Sequence, residues 1–136
     1  MTQNLERHRL DFPEMDAQHD YCYHLFDMIH PVADSGDAER FKALLHEIEM
    51  YLMFHFESEE RLMKIYQAPG FAVHQTDHEN AAHRLISFLD EFDNGTLDPA
   101  RLRIFLTGWL MEHSAGSDRE YVAWIRQYRE STFGIP

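Results

Sequence analysis

The sequence predicts an all-α fold, an up-down-up-down antiparallel four-helix bundle with a short N-terminal arm. Apolar residues recur at helical intervals in four blocks, and turn-forming residues separate these blocks. No useful length of the chain alternates with the period of two that a half-buried strand requires. Because short connections make consecutive helices antiparallel neighbours, four such blocks form one bundle. We expect a single domain over residues 1–136, in which residues 1–15 are the arm.

Capping and helix-breaking residues delimit the first two helices. The first is predicted to begin near Asp16, a residue suited to the N-cap position, and to end between Pro31 and Gly36. The second begins near Asp37 and ends at Pro69-Gly70. Their core faces are predicted to be Cys22, Leu25, Phe26 and Ile29 in the first helix, and Phe41, Leu44, Leu45, Ile48, Leu52, Phe56, Leu62 and Met63 in the second.

The last two helices are delimited in the same way. The third begins near Phe71 and ends at Asp93-Asn94-Gly95. The fourth begins at Asp98-Pro99, a cap followed by proline at the first helical position, and continues through Leu110 to its last turns at Asp118. The start of the first helix, the end of the second, the start of the third and the end of the fourth therefore lie at one end of the bundle.

Composition and charge exclude several classes of function. The net charge of −12 argues against nucleic acid or an anionic membrane as a partner, because both require clustered Lys and Arg. No apolar run approaches the length of a membrane span, and residues 1–11 lack the apolar stretch of a signal peptide, so we expect a cytoplasmic protein. The single Cys22 cannot form an internal disulfide and is interpreted as a small core side chain.

Seven candidate metal ligands form four clusters along the sequence. They are His19, His55 with Glu59, His74 with His78, and His113 with Asp118. Two of the pairs have the four-residue spacing that puts both side chains on one helix face. Seven ligands are too many for one ion and suit two. Spacing alone is weak evidence, because His30 and Asp34 have it too and lie at the opposite end.

The position of the seven candidates in the bundle and the direction of their side chains distinguish them from His30 and Asp34. All seven fall at one level of one end of the predicted bundle. His74 and His78 interrupt a single apolar stripe that continues from Ala81, while His55 and Glu59 continue the apolar face of the second helix. Polar groups that point into a bundle core cost several kcal/mol unless they are paired or bind something. The remaining histidines are interpreted as ordinary surface or core residues: His8, His24, His30, His46 and His83.

Asp118 departs from simple helical geometry. Five residues turn about 500°, which leaves Asp118 off the face that carries His113. A local π-bulge would bring it back, and Ala115-Gly116-Ser117 permits one. The alternative is that Asp118 caps a helix or faces solvent.

In these motifs the chain resembles the hemerythrin family, in its bacterial branch. The resemblance covers nearly everything from Asp16 to Asp118 and rests on four motifs in combination. These are Asp16-Ala17-Gln18-His19, the run His55-Phe56-Glu57-Ser58-Glu59-Glu60 followed by Leu62-Met63, His74-x-x-x-His78, and Trp109-Leu110-x-x-His113-x-x-x-x-Asp118.

The resemblance implies a non-haem di-iron centre that binds dioxygen. One iron would be held by His74, His78 and His113, and the second by His19 and His55. Glu59, Asp118 and an oxo or hydroxo group would bridge the pair, and dioxygen would bind at the iron with fewer histidines. A shell of five imidazoles and two carboxylates also favours binding of oxygen over its conversion to a strong oxidant, since carboxylate-rich bundle sites carry fewer histidines.

Three residues of the fourth helix are predicted to line the oxygen pocket. Trp109 and Leu110 would form an apolar wall that excludes water. Ser114 departs from the family, in which a bulky aliphatic residue usually follows the last histidine. Its hydroxyl either admits water or donates to bound ligand, or it bonds a helix carbonyl. The segment before Asp16 also lacks the tryptophan common in relatives, so the arm is expected to close that end differently.

Two main functional classes follow. The first, which we favour, is a reversible dioxygen-binding protein that acts as carrier, store, scavenger or sensor, with an unidentified signalling or redox partner. The second is a di-iron enzyme with peroxidase or nitric-oxide-consuming activity, in which Ser114 and Tyr121 are the residues to suspect, although Tyr121 also suits core packing. A third interpretation, a bundle that binds iron or zinc structurally, predicts no open coordination position.

Overall fold

A computed structural model describes residues 9–135 of the protein. The helices are α1 (Pro13–Asp27), α2 (Ile29–Asp34), α3 (Ala38–Ile65), α4 (Phe71–Asp93), α5 (Pro99–His113) and α6 (Arg119–Phe133). A π-helical segment, Ser114–Asp118, joins α5 to α6 without a break, so the three form one rod. The described residues contain no strand, and the predicted all-α class is confirmed. The predicted arm lies partly outside the described residues, as does His8.

Four rods pack as an antiparallel four-helix bundle. The first rod is α1 with α2, the second is α3, the third is α4, and the fourth is α5 with the π-helical segment and α6. Helix α1 packs against α3 and α5, and α4 packs against the same two helices, so α1 and α4 lie diagonally opposite each other. Helix α2 extends α1 after a turn at Met28. None of the helices formed by residues 9–135 is both long and apolar enough to cross a membrane.

Two of the predicted helix starts are confirmed by their caps. The Asp37 carboxylate accepts a hydrogen bond from the Arg40 amide (3.1 Å), and the Asp98 carboxylate accepts one from the Ala100 amide (3.0 Å). Gly70 immediately precedes α4 with a φ of 82°, a left-handed conformation that favours glycine. These residues fix where α3, α4 and α5 begin.

The predicted start of the first helix is wrong, whereas its predicted end is confirmed. Helix α1 begins at Pro13, whose fixed φ suits the first helical position. Asp16 therefore lies inside the first turn, where its carboxylate accepts hydrogen bonds from the amides of Leu10 (2.8 Å) and Phe12 (3.2 Å). After a turn at Met28 the helix continues as α2 and ends at Asp34, within the predicted range of Pro31 to Gly36. Pro31 is tolerated as the third residue of α2 because its missing N–H has no intrahelical partner there.

The fourth rod is longer than predicted. The sequence suggested that His113 and Asp118 occupy its last turns, but the rod continues to Phe133. Tyr121, Val122 and Ile125 of α6 are buried, so the continuation is anchored in the core rather than exposed. His113 and Asp118 therefore lie in the middle of the rod.

Two apolar clusters fill the bundle, one on each side of the seven candidate ligands. The larger cluster contains Cys22, Leu52, Phe56, Ala81 and Leu110, together with the other buried apolar residues on the side of the ligands away from the N-terminal segment. The smaller cluster contains Leu10, Phe12, Met15, Met63, Ala68, Tyr121, Val122 and Ile125. The candidate ligands lie where these two sets meet. The site is thus a polar layer enclosed between two dry layers, and the N-terminal segment closes its near side.

Candidate metal centre

The structure brings all seven predicted ligands together in the interior. Each of the seven side chains is at most 4 % exposed. Helix α1 supplies His19, α3 supplies His55 and Glu59, α4 supplies His74 and His78, and the fourth rod supplies His113 and Asp118. The apolar stripe that the sequence indicated on α4 is buried at His74, His78, Ala81, Leu85 and Phe88.

The ligand atoms form two groups. Glu59, His74, His78 and His113 make the first, and His19, His55, Glu59 and Asp118 make the second. Within each group the ligand atoms all lie within 4.8 Å of one another. Glu59 belongs to both. The first is called the three-histidine group below, and the second the two-histidine group.

Glu59 directs one oxygen to each group. Its Oε1 lies 2.9 Å from His78 Nε2 and 3.1 Å from His74 Nε2. Its Oε2 lies 3.1 Å from His55 Nε2 and 3.6 Å from His19 Nε2. A carboxylate with this orientation can bridge two ions.

Asp118 has the same arrangement. Its Oδ1 lies 3.1 Å from His113 Nε2 and 3.3 Å from His74 Nε2, in the three-histidine group, while its Oδ2 lies 3.3 Å from His19 Nε2. The π-helical segment that precedes it makes this orientation possible, because the wider turn rotates Asp118 onto the face of His113. The predicted π-bulge is confirmed, and the alternative of a solvent-facing Asp118 is wrong.

Two histidines face each other in a way that requires a cation. His78 Nδ1 donates to Glu60 Oε2 (2.8 Å), and His113 Nδ1 donates to Asp77 Oδ2 (2.5 Å). In a neutral imidazole the other nitrogen then carries a lone pair. The Nε2 atoms of His78 and His113 are nevertheless only 3.1 Å apart in the interior. A proton or a metal ion must therefore lie between them.

In the metal-free protein that role falls to protons. Burial lowers the pKa of His113, but the adjacent Asp118 and Glu59 outweigh it and raise that pKa to about 11. The same balance raises the pKa values of His19 and His74 to about 9. Burial alone would raise the pKa of Glu59 and of Asp118, yet the surrounding histidines keep both below their usual range.

Four buried polar atoms of the layer remain without a hydrogen-bond partner. They are His19 Nε2, His55 Nε2 and both carboxylate oxygens of Asp118. Unpaired buried polar atoms are rare in folded proteins. Lone pairs that converge on a point between the side chains, rather than on one another, are what a metal ion requires.

Comparison with known proteins agrees with this geometry. The family model described as "Hemerythrin HHE cation binding domain" matches residues 11–125, which include all seven ligands. The chain belongs to the hemerythrin family. This membership implies a non-haem iron centre.

Several curated hemerythrins are similar to the chain. A bacteriohemerythrin of Stenotrophomonas maltophilia (strain R551-3) is 27 % identical over 114 residues, which are 84 % of this chain and 74 % of the relative. A bacteriohemerythrin of Methylococcus capsulatus is 24 % identical over 107 residues, 78 % of this chain and 82 % of the relative. One of Pseudomonas paraeruginosa is 24 % identical over 112 residues, with coverages of 82 % and 73 %. No solved structure matches the chain significantly.

The nitrogens of the three-histidine group in this hemerythrin lie close enough together to bind one ion. His113 Nε2 lies 3.0 Å from His74 Nε2 and 3.1 Å from His78 Nε2. Imidazole nitrogens and carboxylate oxygens are ligands that iron accepts. The residues present therefore fit the iron that the family implies.

The three predicted pocket residues occupy different places around the layer. The Trp109 ring stacks on His113, with ring centres 4.5 Å apart, so it contacts the three-histidine group. Leu110 is fully buried in the larger apolar cluster. Ser114 is also fully buried, and its hydroxyl oxygen lies 3.4 Å from His19 Nδ1. His19 belongs to the two-histidine group, but its other nitrogen, Nε2, is the one that faces Glu59 and Asp118.

Sequence reasoning missed several neighbours of the ligands. Phe56 stacks on the His78 ring, with ring centres 4.2 Å apart. Tyr121, which the sequence did indicate as a residue to suspect in an enzyme, donates its hydroxyl to Glu59 Oε2 (3.4 Å). Gln18, Glu60 and Asp77 each hydrogen-bond a ligand histidine. Each of these three is adjacent in sequence to a ligand, and this adjacency could have indicated that they lie beside the site. Histidines 24, 30, 46 and 83 are exposed and lie outside the layer, as the sequence predicted.

Proposed function

We propose that this hemerythrin holds two iron ions between its four rods and uses the pair to bind dioxygen reversibly. His74, His78 and His113 would hold one iron, and His19 and His55 would hold the other. Glu59 and Asp118 would each contribute one oxygen to each iron. Hemerythrins as a family bind dioxygen, which supports this choice of ligand.

The division of the carboxylate oxygens is the observation that carries the proposal. With one oxygen from each bridge, the three-histidine group offers five donor atoms and the two-histidine group offers four. A solvent oxygen shared by the two groups would raise these numbers to six and five. A six-coordinate ion would then be saturated in the three-histidine group and would keep one open position in the two-histidine group. A purely structural site would have no reason to leave one ion short of a ligand.

The protein's own residues hold this centre dry and rigid. His19 and His55 are at most 2 % exposed, and Leu110 is fully buried in the adjoining apolar layer. Phe56 and Trp109 stack on the rings of His78 and His113 and fix their orientation. When bound, the two irons supply the redox chemistry, and the low-dielectric surroundings exclude the water that would promote irreversible oxidation.

Metal analysis and an oxygen titration test the proposal. Protein grown with iron should contain two irons per chain. The reduced protein, titrated from anaerobic to aerobic conditions, should develop a visible absorption band that disappears when oxygen is removed, with the iron still ferrous. One metal per chain, or zinc alone under iron-replete conditions, would contradict the two-iron assignment. Immediate irreversible oxidation would contradict reversible binding.

Tyr121 favours a second candidate, a di-iron enzyme with peroxidase or nitric-oxide-consuming activity. Its phenol is 1 % exposed and donates to Glu59 Oε2, so a group able to release a proton and an electron lies against a proposed bridge. The variant Tyr121→Phe keeps the ring and removes the hydroxyl. An oxygen-binding protein should retain its reversible band in this variant. An enzyme that uses the phenol should lose most of its turnover of peroxide or nitric oxide while keeping both irons.

A further inference from the structure

Four cross-helix hydrogen bonds form a closed ring around the metal layer. In each, a residue adjacent in sequence to a ligand on one rod contacts the Nδ1 atom of a ligand on the next rod. The four contacts are Gln18 Oε1 with His55 (2.7 Å), Glu60 Oε2 with His78 (2.8 Å), Asp77 Oδ2 with His113 (2.5 Å) and Ser114 Oγ with His19 (3.4 Å). The ring runs from α1 to α3, α4, the fourth rod and back to α1. This arrangement ties the orientation of each ligand to its neighbouring rod.

Charge is distributed unequally around this ring. The two contacts to the three-histidine group are carboxylates, Glu60 and Asp77. The two contacts to the two-histidine group are neutral, an amide from Gln18 and a hydroxyl from Ser114. The Ser114 contact is also the longest of the four. A carboxylate that accepts the Nδ1–H of a ligand histidine fixes its tautomer and makes its Nε2 a stronger donor to metal.

Glu60 is itself held in place. Its Oε1 accepts a hydrogen bond from Gln75 Nε2 (3.1 Å), which leaves Oε2 directed at His78. Asp77, one residue before His78, reaches His113 from the same helix. Helix α4 thus supplies two ligands of the three-histidine group and the support for the third. The two-histidine group has no comparable charged support among the described contacts.

We propose that Glu60 and Asp77 are positioning residues that make the three-histidine site the tighter of the two, so that the two irons are bound and released in a fixed order. The two-histidine site, supported by Gln18 and Ser114, loses its iron first. This inference rests on the proposed di-iron function and adds to it the unequal retention of the two ions. Loss of one outer hydrogen-bond partner typically costs 10–100-fold in metal affinity.

Release of iron from the reduced protein to an excess of a colorimetric ferrous chelator, under anaerobic conditions, tests the order. The wild-type protein should release iron in two phases of equal amplitude. Asp77→Ala and Glu60→Ala should each accelerate the slow phase by about tenfold and leave the fast phase nearly unchanged. Gln18→Ala should accelerate the fast phase instead. The rates of the fast and slow phases can both be measured without oxygen binding.

Two further variants separate position from charge. Asp77→Asn keeps an oxygen that can accept the Nδ1–H of His113 but removes the charge, so the slow phase should accelerate less than in Asp77→Ala. Glu79→Ala is the matched control, because Glu79 also neighbours His78 on α4 but is exposed and lies outside the ring. It removes the same charge from the same helix and should leave both phases unchanged. Circular dichroism confirms that each variant is folded.

The outcomes distinguish this proposal from the di-iron function itself. Two irons released in a single phase, or Glu60 and Asp77 variants that accelerate both phases equally, would overturn the fixed order while leaving the di-iron site intact. Acceleration of the slow phase by Glu79→Ala as large as that by Asp77→Ala would mean that general charge, rather than the ring contact, retains the iron. A single iron per chain in the wild-type protein would contradict the proposed function and, with it, this inference.

Discussion

Raising the pH should destabilise the metal-free protein between pH 6.5 and about 9. Burial lowers the pKa of His19 and of His74, but Asp118 and Glu59 outweigh it and raise both from 6.5 to about 9. The folded protein therefore retains protons that the unfolded chain has lost above pH 6.5. This contribution to the free energy of unfolding is fully present below pH 6.5 and is lost as the pH rises to about 9.

The expected loss is large enough to measure. One pKa unit corresponds to about 1.4 kcal/mol, so a rise from 6.5 to about 9 contributes about 3 kcal/mol for one histidine. His19 and His74 share the same two carboxylates, and their contributions do not add. We therefore take about 3 kcal/mol for the whole layer. At about 4 °C per kcal/mol for a domain of this size, Tm should fall by about 12 °C.

Thermal unfolding followed by circular dichroism measures this loss. The iron-loaded protein should show the opposite trend, because metal ligands must be deprotonated and protons compete with iron at low pH. Glu59→Gln removes one of the two charges that raise the histidine pKa values, so the metal-free variant should show a shallower decline. A metal-free Tm that stays constant or rises over this range would refute the reasoning. So would a decline in Glu59→Gln as steep as in the wild type.

Two further predictions concern the layer and its walls. Glu59→Ala removes a donor from both groups and should lose both irons, whereas His46→Ala, at an exposed histidine outside the layer, should retain two irons per chain by metal analysis. Loss of iron from His46→Ala equal to that from Glu59→Ala would contradict the assignment. Leu110→Ala opens a cavity in the apolar layer and should lower the free energy of unfolding by about 2–5 kcal/mol. The same variant should shorten the lifetime of the oxygenated absorption band, and an unchanged lifetime would show that Leu110 does not control water access.

The seven ligands could be found from the sequence because they lie on regular helix faces. Two side chains four residues apart share a face, and a polar pair in an apolar stripe must point inward. Asp118 was the hard case, since a regular helix turns it away from His113. The π-helical segment at Ser114–Asp118 turns Asp118 back towards His113, and the small residues Ala115-Gly116-Ser117 indicated that such a segment could form.

The outer contacts could not be found in this way. Gln18, Glu60 and Asp77 support ligands on other rods, and such contacts depend on how neighbouring helices are rotated about their axes. Spacing along one helix carries no information about that rotation. The same limit applies to Asp16, whose partners Leu10 and Phe12 belong to a segment without helical periodicity. Helix α6 was missed although its buried residues Tyr121, Val122 and Ile125 have helical spacing, because the fourth helix was predicted to end near Asp118.

The polar layer divides the bundle into two cores of unequal size, and this division explains why the site depends on a cation. The smaller cluster, formed by Leu10, Phe12, Met15 and the buried face of α6 with their neighbours, contacts the main core across imidazoles and carboxylates. Hydrophobic contact therefore cannot join the two halves at this level. Unpaired, these groups would cost several kcal/mol each. Either protons or metal ions must offset that cost, and both compete for the same Nε2 atoms. The groups that bind metal therefore also make the metal-free fold sensitive to pH.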